Sequence, residues 1–336
     1  MILSTAALGT AAVRQSDAHW LTRKEYASLL ESHPALSRVW AFDRARGLLG
    51  WVVLSSELFS QGYDTIYDLQ GSLRTRLMRV LFFLLGLFKT ARAPRWRSYR
   101  KPRLKAYGYY LFKRRWPKAW RPGQRVAEFS RAVGGTGEER PDLRYLFAKL
   151  PTGWDLPAEL REGGRPKRYL AVMPDSLWEG KRWSIDFYVD WLRAHGGVDF
   201  GLPVVLGTKN DVFSRTLVER LADAQIPHYS GVDRFTWAET AAILGGAQAY
   251  VGGDTGLAHL AEAVGTPALV IFGPTAADAG FGPWRAGSQA IGSSLGCRPC
   301  GKDGRYCYRF WNRHQCMKEV SPSQVQEALL HVVAAK

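Results

Sequence analysis

Val251-Gly-Gly-Asp254-Thr255-Gly256-Leu-Ala-His259-Leu260, followed by Pro267-Ala-Leu-Val-Ile-Phe-Gly273-Pro274-Thr275, is the stretch whose reading decides the fold. Its pattern is strand, tight polar turn, helix, strand, then a second turn. The polar residues gather where the strands end and the helix begins. In an open α/β sheet that edge binds ligands. A helix N-terminus there offers free N–H groups and partial positive charge, which suits a diphosphate. Thr255 and Gly256 can present those groups. His259, four and three residues further on, shares their helix face, and helical side chains lean back toward the N-terminus. The plainer reading makes Asp254 an N-cap and His259 a satisfied core histidine.

The same alternation extends outward. Tyr169 to Met173, Pro203 to Leu206 and Ala249 to Val251 read as strands. Ser184 to His195, Asp211 to Ala224 and Thr236 to Gly245 read as helices. Short apolar strands between helices predict a parallel, doubly wound sheet. In the first half, His19 to Thr22 and Thr65 to Leu69 look like strands and Lys24 to Ser32 like a helix. Ser321-Pro322-Ser323-Gln324 is a capping-box pattern opening a C-terminal helix. The stretch from Gly134 to Arg168 reads as a linker.

Composition limits the choices. The 336 residues allow two domains, and 46% hydrophobic content supports real cores. The longest apolar run, Leu77 to Phe88, contains Arg79 and falls short of the roughly 18 residues a spanning helix needs. It reads as a buried or interfacial helix. No secretory signal is visible, so the expected location is the cytoplasm. The formal charge of +16 is concentrated: Arg74 to Arg125 holds 17 Lys and Arg and no Asp or Glu. Trp96, Trp116, Trp120 and four tyrosines lie in the same stretch. Cations with interleaved aromatic rings suit an anionic membrane surface. Nucleic acid is the rival partner on electrostatics alone.

Asp254, Thr255, Gly256, His259 and Gly273-Pro274-Thr275 together resemble the donor-site signature of glycosyltransferase family 9, the lipopolysaccharide heptosyltransferases. The resemblance implies a GT-B fold of two Rossmann-like α/β domains facing a cleft. The acceptor-side domain would take residues 1–160 and the donor domain residues 161–320. A helix at 321–336 would cross back to the first domain. It also implies an inverting glycosyltransferase moving heptose from ADP-heptose to an anionic lipid A/Kdo-like glycolipid at the inner leaflet. Membrane contact would be made through Arg74–Arg125, the enzyme would be peripheral at the inner membrane, and no nucleic acid partner is expected. Lys181, in Lys181-Arg182-Trp183, would stabilise the leaving diphosphate, and Ser176 would donate to the same phosphates. Asp211 would meet the ribose or base; by itself it also reads as an N-cap. Asp68-Leu-Gln70-Gly71 resembles the family's acceptor-side turn, with Arg74 facing anionic acceptor groups. The alternatives are a GT-B transferase for another nucleotide sugar and a non-catalytic binder of anionic membrane or nucleic acid.

Two features stand apart. Cys297, Cys300, Cys307 and Cys316 are the four cysteines, and a Cys-x-x-Cys with two nearby thiols offers a structural zinc site, although these gaps fit no common finger. No metal is expected in catalysis. The family opens with a strand, a Gly-Asp turn carrying the presumed general base, and then a helix. Here Met1 to Leu8 already reads as that helix. The first strand and the base are therefore expected upstream of Met1, with Met1 an internal methionine. Activity of the chain as it stands is then doubtful, and neighbouring strand edges should be left open.

Overall fold

The computed structural model describes residues 1–88 and 93–336 and divides into two compact units. After the first two residues, one unit takes Leu3–Pro102 and Arg125–Tyr145, the other Arg103–Gln124 and Leu146–Lys336. The expected boundary near residue 160 is thus corrected. The segment 103–124 leaves the first unit, so the basic stretch is divided between the two.

The second unit is built on six parallel strands. They are β7 (Tyr169–Met173), β8 (Leu202–Gly207), β9 (Tyr229–Val232), β10 (Tyr250–Gly253), β11 (Ala268–Phe272) and β12 (Gln289–Gly292), in the order β12-β11-β10-β7-β8-β9. The chain runs outward from β7 through β8 to β9, then restarts beside β7 and runs outward the other way. The order therefore reverses between β7 and β10, where a doubly wound sheet opens a crevice at its strand ends. Strands β7, β10 and β11 are buried along their whole length. That explains their unbroken apolar sequences. A preceding hairpin of β5 (Arg161–Glu162) and β6 (Arg165–Pro166) lies within the expected linker.

Helices α6 (Ile185–Asp199), α7 (Val212–Asp223), α8 (Trp237–Gly246) and α9 (Gly256–Ala263) connect these strands. The core joins Trp183, Tyr188 and Trp191 to Val172, Val205, Leu269 and Ile271. A short turn α10 (Gln315–Lys318) leads to α11 (Pro322–Ala334). The capping box forms as its sequence predicts: Ser321 accepts from the Gln324 N–H, and the Gln324 side chain accepts from the Ser321 N–H. Val325, Leu329 and Val332 are buried, and α11 packs on α6, β11 and β12. The indole N–H of Trp191 donates to Gln326 at 3.0 Å, and the Gln326 amide donates to Asp199 at 2.7 Å. The expected crossing back is corrected accordingly: this helix is part of the second unit, held by its apolar stripe.

In the first unit a 3₁₀ helix (Ile2–Gly9) and the single turn α1 (Ala11–Arg14) precede β1 (His19–Arg23). Lys24–Leu29, expected as an α-helix, is a second 3₁₀ segment. Then come β2 (Arg38–Phe42), α2 (Gly47–Ser60), β3 (Thr65–Asp68), α3 (Leu73–Phe88) and β4 (Arg95–Ser98). Helix α5 (Arg125–Ala132) ends the unit's regular structure, whereas α4 (Arg103–Phe112) belongs to the other unit. The strands make two separate parallel pairs, β1–β2 and β3–β4. Among the described residues no strand joins the two pairs. Trp40, Phe42, Trp51, Leu58 and Phe82 fill the unit's core. The run from Leu77 is half buried: Met78 and Phe82 point inward, while Val80, Phe83, Leu84 and Leu87 are exposed.

His33 packs edge-on against Tyr145, and its Nδ1 accepts the Ala35 N–H at 3.1 Å. Burial lowers its pKa from 6.5 to about 4. The unfolded chain therefore binds the proton first, and stability is lost as pH falls from 6.5 toward 4. Urea unfolding of the wild type and His33→Asn should show this: the wild-type curve steepens downward across that window, and the variant's is flatter.

Candidate functional site

Strands β7, β10 and β11 are neighbours, so the loops leaving their C-terminal ends meet on one edge. The first loop carries Lys181, at the end of the 3₁₀ turn Glu179–Lys181; the second carries Asp254; the third is Gly273-Pro274-Thr275. Asp254 ties them together. Its Oδ2 lies 2.7 Å from Lys181 Nζ and accepts from the Thr275 hydroxyl at 3.2 Å. The Lys181 and Asp254 side chains are only 12% and 13% exposed. Backbone proximity explains the glycines between them. A Cβ on Gly252 would lie 2.4 Å from the Met173 carbonyl, and one on Gly273 2.8 Å from the Gly180 carbonyl. Neither position has space for a side chain.

The plainer reading of Asp254 as an N-cap is overturned. Thr255 occupies the N-cap of α9 and makes no capping bond; its hydroxyl pairs with the Tyr250 hydroxyl at 3.1 Å. The first N–H groups of a helix have no intrahelical acceptor. Gly256 opens the helix, and a Cβ there would meet nothing within 4 Å. Donors and a partial positive charge thus face open space beside the Lys181 ammonium. His259 sits one turn further on, nearly buried, its Nδ1 facing Glu262.

Ser176 is half-buried in the β7 loop, where the Arg182 guanidinium donates to its carbonyl at 3.0 Å and pairs with Asp175 at 2.6 Å. Arg182 also covers the Phe213 ring, so it braces the loop carrying Lys181. Asp211 is the N-cap residue of α7, but its side chain makes no capping bond. Its carboxylate accepts from the Thr208 N–H at 2.7 Å and the Thr208 hydroxyl at 2.9 Å, closing the β8 turn. Asp211 thus holds the N-cap position that the plainer reading gives it, while its carboxylate shapes this turn.

The cysteine segment folds back on the third loop. Arg298 donates to the carbonyls of Phe272 at 2.8 Å and Thr275 at 3.0 Å, and also to Gly273. The Cys300 N–H donates to the Pro274 carbonyl at 2.7 Å. All four thiols are free. Burial pushes Cys316 up to about 11 and raises Cys300 as well. Among the described residues no group of three His, Cys, Asp or Glu is placed to hold a metal. The turn is therefore secured by Arg298, a residue the sequence reading missed. Its signal was a cation set inside the cysteine pair.

In the first unit, Asp68 accepts from the N–H groups of Gln70 at 2.9 Å and Gly71 at 2.8 Å, so it forms the turn itself. Ser72 and Thr75 then open α3 by reciprocal bonds. Arg74 lies 5.8 Å from the Phe42 ring. Phe42 lines a cavity of about 270 Å³ with Trp40, Asp43, Arg46 and Glu57.

The doubly wound parallel sheet of the second unit, with a polar switch point and an open helix N-terminus, has the form of a Rossmann-type nucleotide-binding domain, and the whole chain has the fold of a GT-B glycosyltransferase. The family model for glycosyltransferase family 9 (heptosyltransferase) matches residues 51–307. The chain belongs to that family and is a glycosyltransferase. It is 27% identical over 292 residues to lipopolysaccharide heptosyltransferase 1 of Pseudomonas aeruginosa, covering 84% of this chain and 76% of the relative. The fold is similar to that of E. coli ADP-heptose lipopolysaccharide heptosyltransferase II, with a TM-score of 0.67 at 17% identity, covering 99% of this chain and 95% of the other. A family 9 glycosyltransferase from Veillonella parvula gives 0.70 at 13% identity, over 100% and 94%. An E. coli heptosyltransferase solved with ADP gives 0.65 at 16%, over 98% and 96%.

Because the Lys181–Asp254 pair is largely shielded, removing one partner strands the other. A double-mutant cycle of Lys181→Met and Asp254→Asn should give a coupling of about 1–3 kcal/mol in unfolding free energy. Additive effects would mean that the pair does not hold the loops together.

Proposed function

We propose that this glycosyltransferase moves heptose from ADP-heptose to an anionic lipid A/Kdo-like acceptor in the inner core of lipopolysaccharide, with inversion at the anomeric carbon. The observation that carries the reading is the Asp254 carboxylate joining Lys181 and Thr275 beside the open N-terminus of α9. The named function of the Pseudomonas relative and the ADP in the E. coli structure support the choice of donor and acceptor.

In this reading the donor diphosphate lies against Thr255 and Gly256 of α9, with Ser176 and His259 at its sides. The acceptor hydroxyl oxygen attacks the anomeric carbon as the bond to the diphosphate oxygen breaks, ADP leaves with the electron pair, and the hydroxyl proton passes to a base or to water. Lys181, held in place by Asp254, and the α9 dipole stabilise the charge that develops on that oxygen. Gln70 and Arg74 serve the acceptor side, Arg74 by pairing with an acidic sugar or phosphate. Asp211 contacts the nucleoside only through lone pairs left by Thr208. Metal takes no part in this transfer step. Lys181→Ala should lower transfer about 100-fold or more while ADP still binds. Calorimetry with ADP-heptose and with UDP sugars, followed by mass analysis of a Kdo-lipid acceptor, decides the donor; tighter binding of a UDP sugar would overturn the assignment.

We also propose that the enzyme works at the inner membrane surface as a peripheral protein. Among the described residues no helix is long and apolar enough to cross a membrane. Exposed Leu104, Tyr107, Leu111 and Trp120 lie among Lys and Arg on and after α4, and exposed Leu73, Phe83 and Leu87 follow the same pattern on α3. Apolar side chains interleaved with cations favour anionic headgroups over bare phosphates of nucleic acid. Part of the basic charge is already used, since Arg121 pairs with Asp278 and Arg125 with Glu128. Co-sedimentation should therefore show binding to phosphatidylglycerol vesicles that weakens with salt and with Leu104→Ser/Leu111→Ser. Equal binding to neutral vesicles, or none to anionic ones, would refute it.

A further inference from the structure

We propose that Glu262 is a positioning residue for His259: its carboxylate receives the proton on ring Nδ1, which leaves Nε2 as the nitrogen that meets the bound donor. The inference rests on the reading of His259 as a donor-site residue. Glu262 is fully buried, one helical turn after His259 in α9. One carboxylate oxygen is fixed, accepting the N–H groups of Trp284 and Arg285 at 2.8 Å each. Arg285 also donates to the Glu262 carbonyl at 3.1 Å. The other oxygen, Oε2, has no partner, and neither has His259 Nδ1; both atoms are shut from solvent. They lie 3.6 Å apart, facing each other.

An unmade hydrogen bond at two buried polar atoms costs about 1–3 kcal/mol for each group. A small rotation of either side chain closes the gap to hydrogen-bonding distance and satisfies both. With Glu262 as a carboxylate, only one proton arrangement allows it. With the proton on Nε2 alone, a bare nitrogen lone pair would face a carboxylate oxygen, two acceptors shut from solvent. The Nδ1–H form is therefore the one this packing selects, whether the ring is neutral or charged.

The consequence falls on the other edge of the ring. The His259 side chain keeps 11% of its surface exposed, and none of that is at Nδ1. The ring lies three residues after Gly256, where the helix opens to free space. Nε2 then accepts a donor hydroxyl when the ring is neutral and donates to a phosphate oxygen when it is protonated. Glu262 also ties this choice to the loop at Trp284–Arg285, so the loop's placement and the ring's proton are set by one carboxylate.

The test is a ring-nitrogen measurement. Long-range ¹H–¹⁵N correlation on the full chain with labelled histidine, at a pH of about 8.5 where an ordinary imidazole is neutral, reads the proton positions. Loss of one set of signals in His259→Asn identifies the ring. The wild type should carry the proton on Nδ1. E262Q keeps the acceptor oxygen for Trp284 and Arg285 but turns an amide N–H toward the ring, so the proton should move to Nε2. ADP affinity should fall about tenfold in E262Q, with thermal unfolding at the wild-type midpoint. A bare Nδ1 in the wild type overturns the proposal without any variant. So does E262Q with wild-type ADP affinity and a switched ring. If His259→Asn binds ADP as the wild type does, the donor-site reading of His259 fails, whatever the ring's proton position.

Discussion

The Lys181–Asp254 ion pair is the contact on which the loop edge of the second unit's sheet depends. Three loops leave three adjacent strands, and one carboxylate links them, by pairing with the ammonium on the first loop and accepting the hydroxyl of Thr275 on the third. Taking two charges largely out of water is costly and rarely adds much stability. Such a pair is better understood as fixing geometry, placing a cation beside a helix N-terminus whose cap makes no bond.

Backbone approach makes this arrangement possible. Gly252 and Gly273 let the strand ends and the β7 loop come within van der Waals contact of one another. Arg298 then holds the carbonyls of the Gly-Pro-Thr turn from behind, the structural task that the cysteine segment visibly performs. A parallel sheet with its order reversed between β7 and β10 is what puts all these groups at one place. The apolar core around Trp183 and Trp191 and the docking of α11 keep that sheet rigid.

The first unit follows a different logic. Its strands pair two by two rather than in one sheet, and its core is mainly aromatic. Leu48 and Leu49 on α2 and Phe83 and Leu87 on α3 remain exposed outside that core.

How much was legible beforehand depends on the range of the interaction. The strands and helices from Tyr169 onward were readable because burial on both faces of a parallel strand leaves an apolar run, and caps such as Ser321–Gln324 are local. The shared edge of the Asp254 and Gly-Pro-Thr turns was legible for the same reason, since position in an α/β repeat fixes which end of a strand they occupy. The domain boundary was not, because residues 103–124 join the second unit through contacts with Asp278 and Pro299 far along the chain. Nor was Asp254's partner: a cap and an ion pair look alike in sequence and differ only in what lies 73 residues away. The Asp211 turn, the Arg298 brace and the buried face of His259 on Glu262 are of the same kind. Sequence alone determined the elements and the sheet edge at which the polar turns gather, because periodicity and capping are properties of neighbouring residues. Which side chains meet there was decided by the tertiary structure, because hydrogen bonds act over about 3 Å and the chain must fold before distant residues come that close.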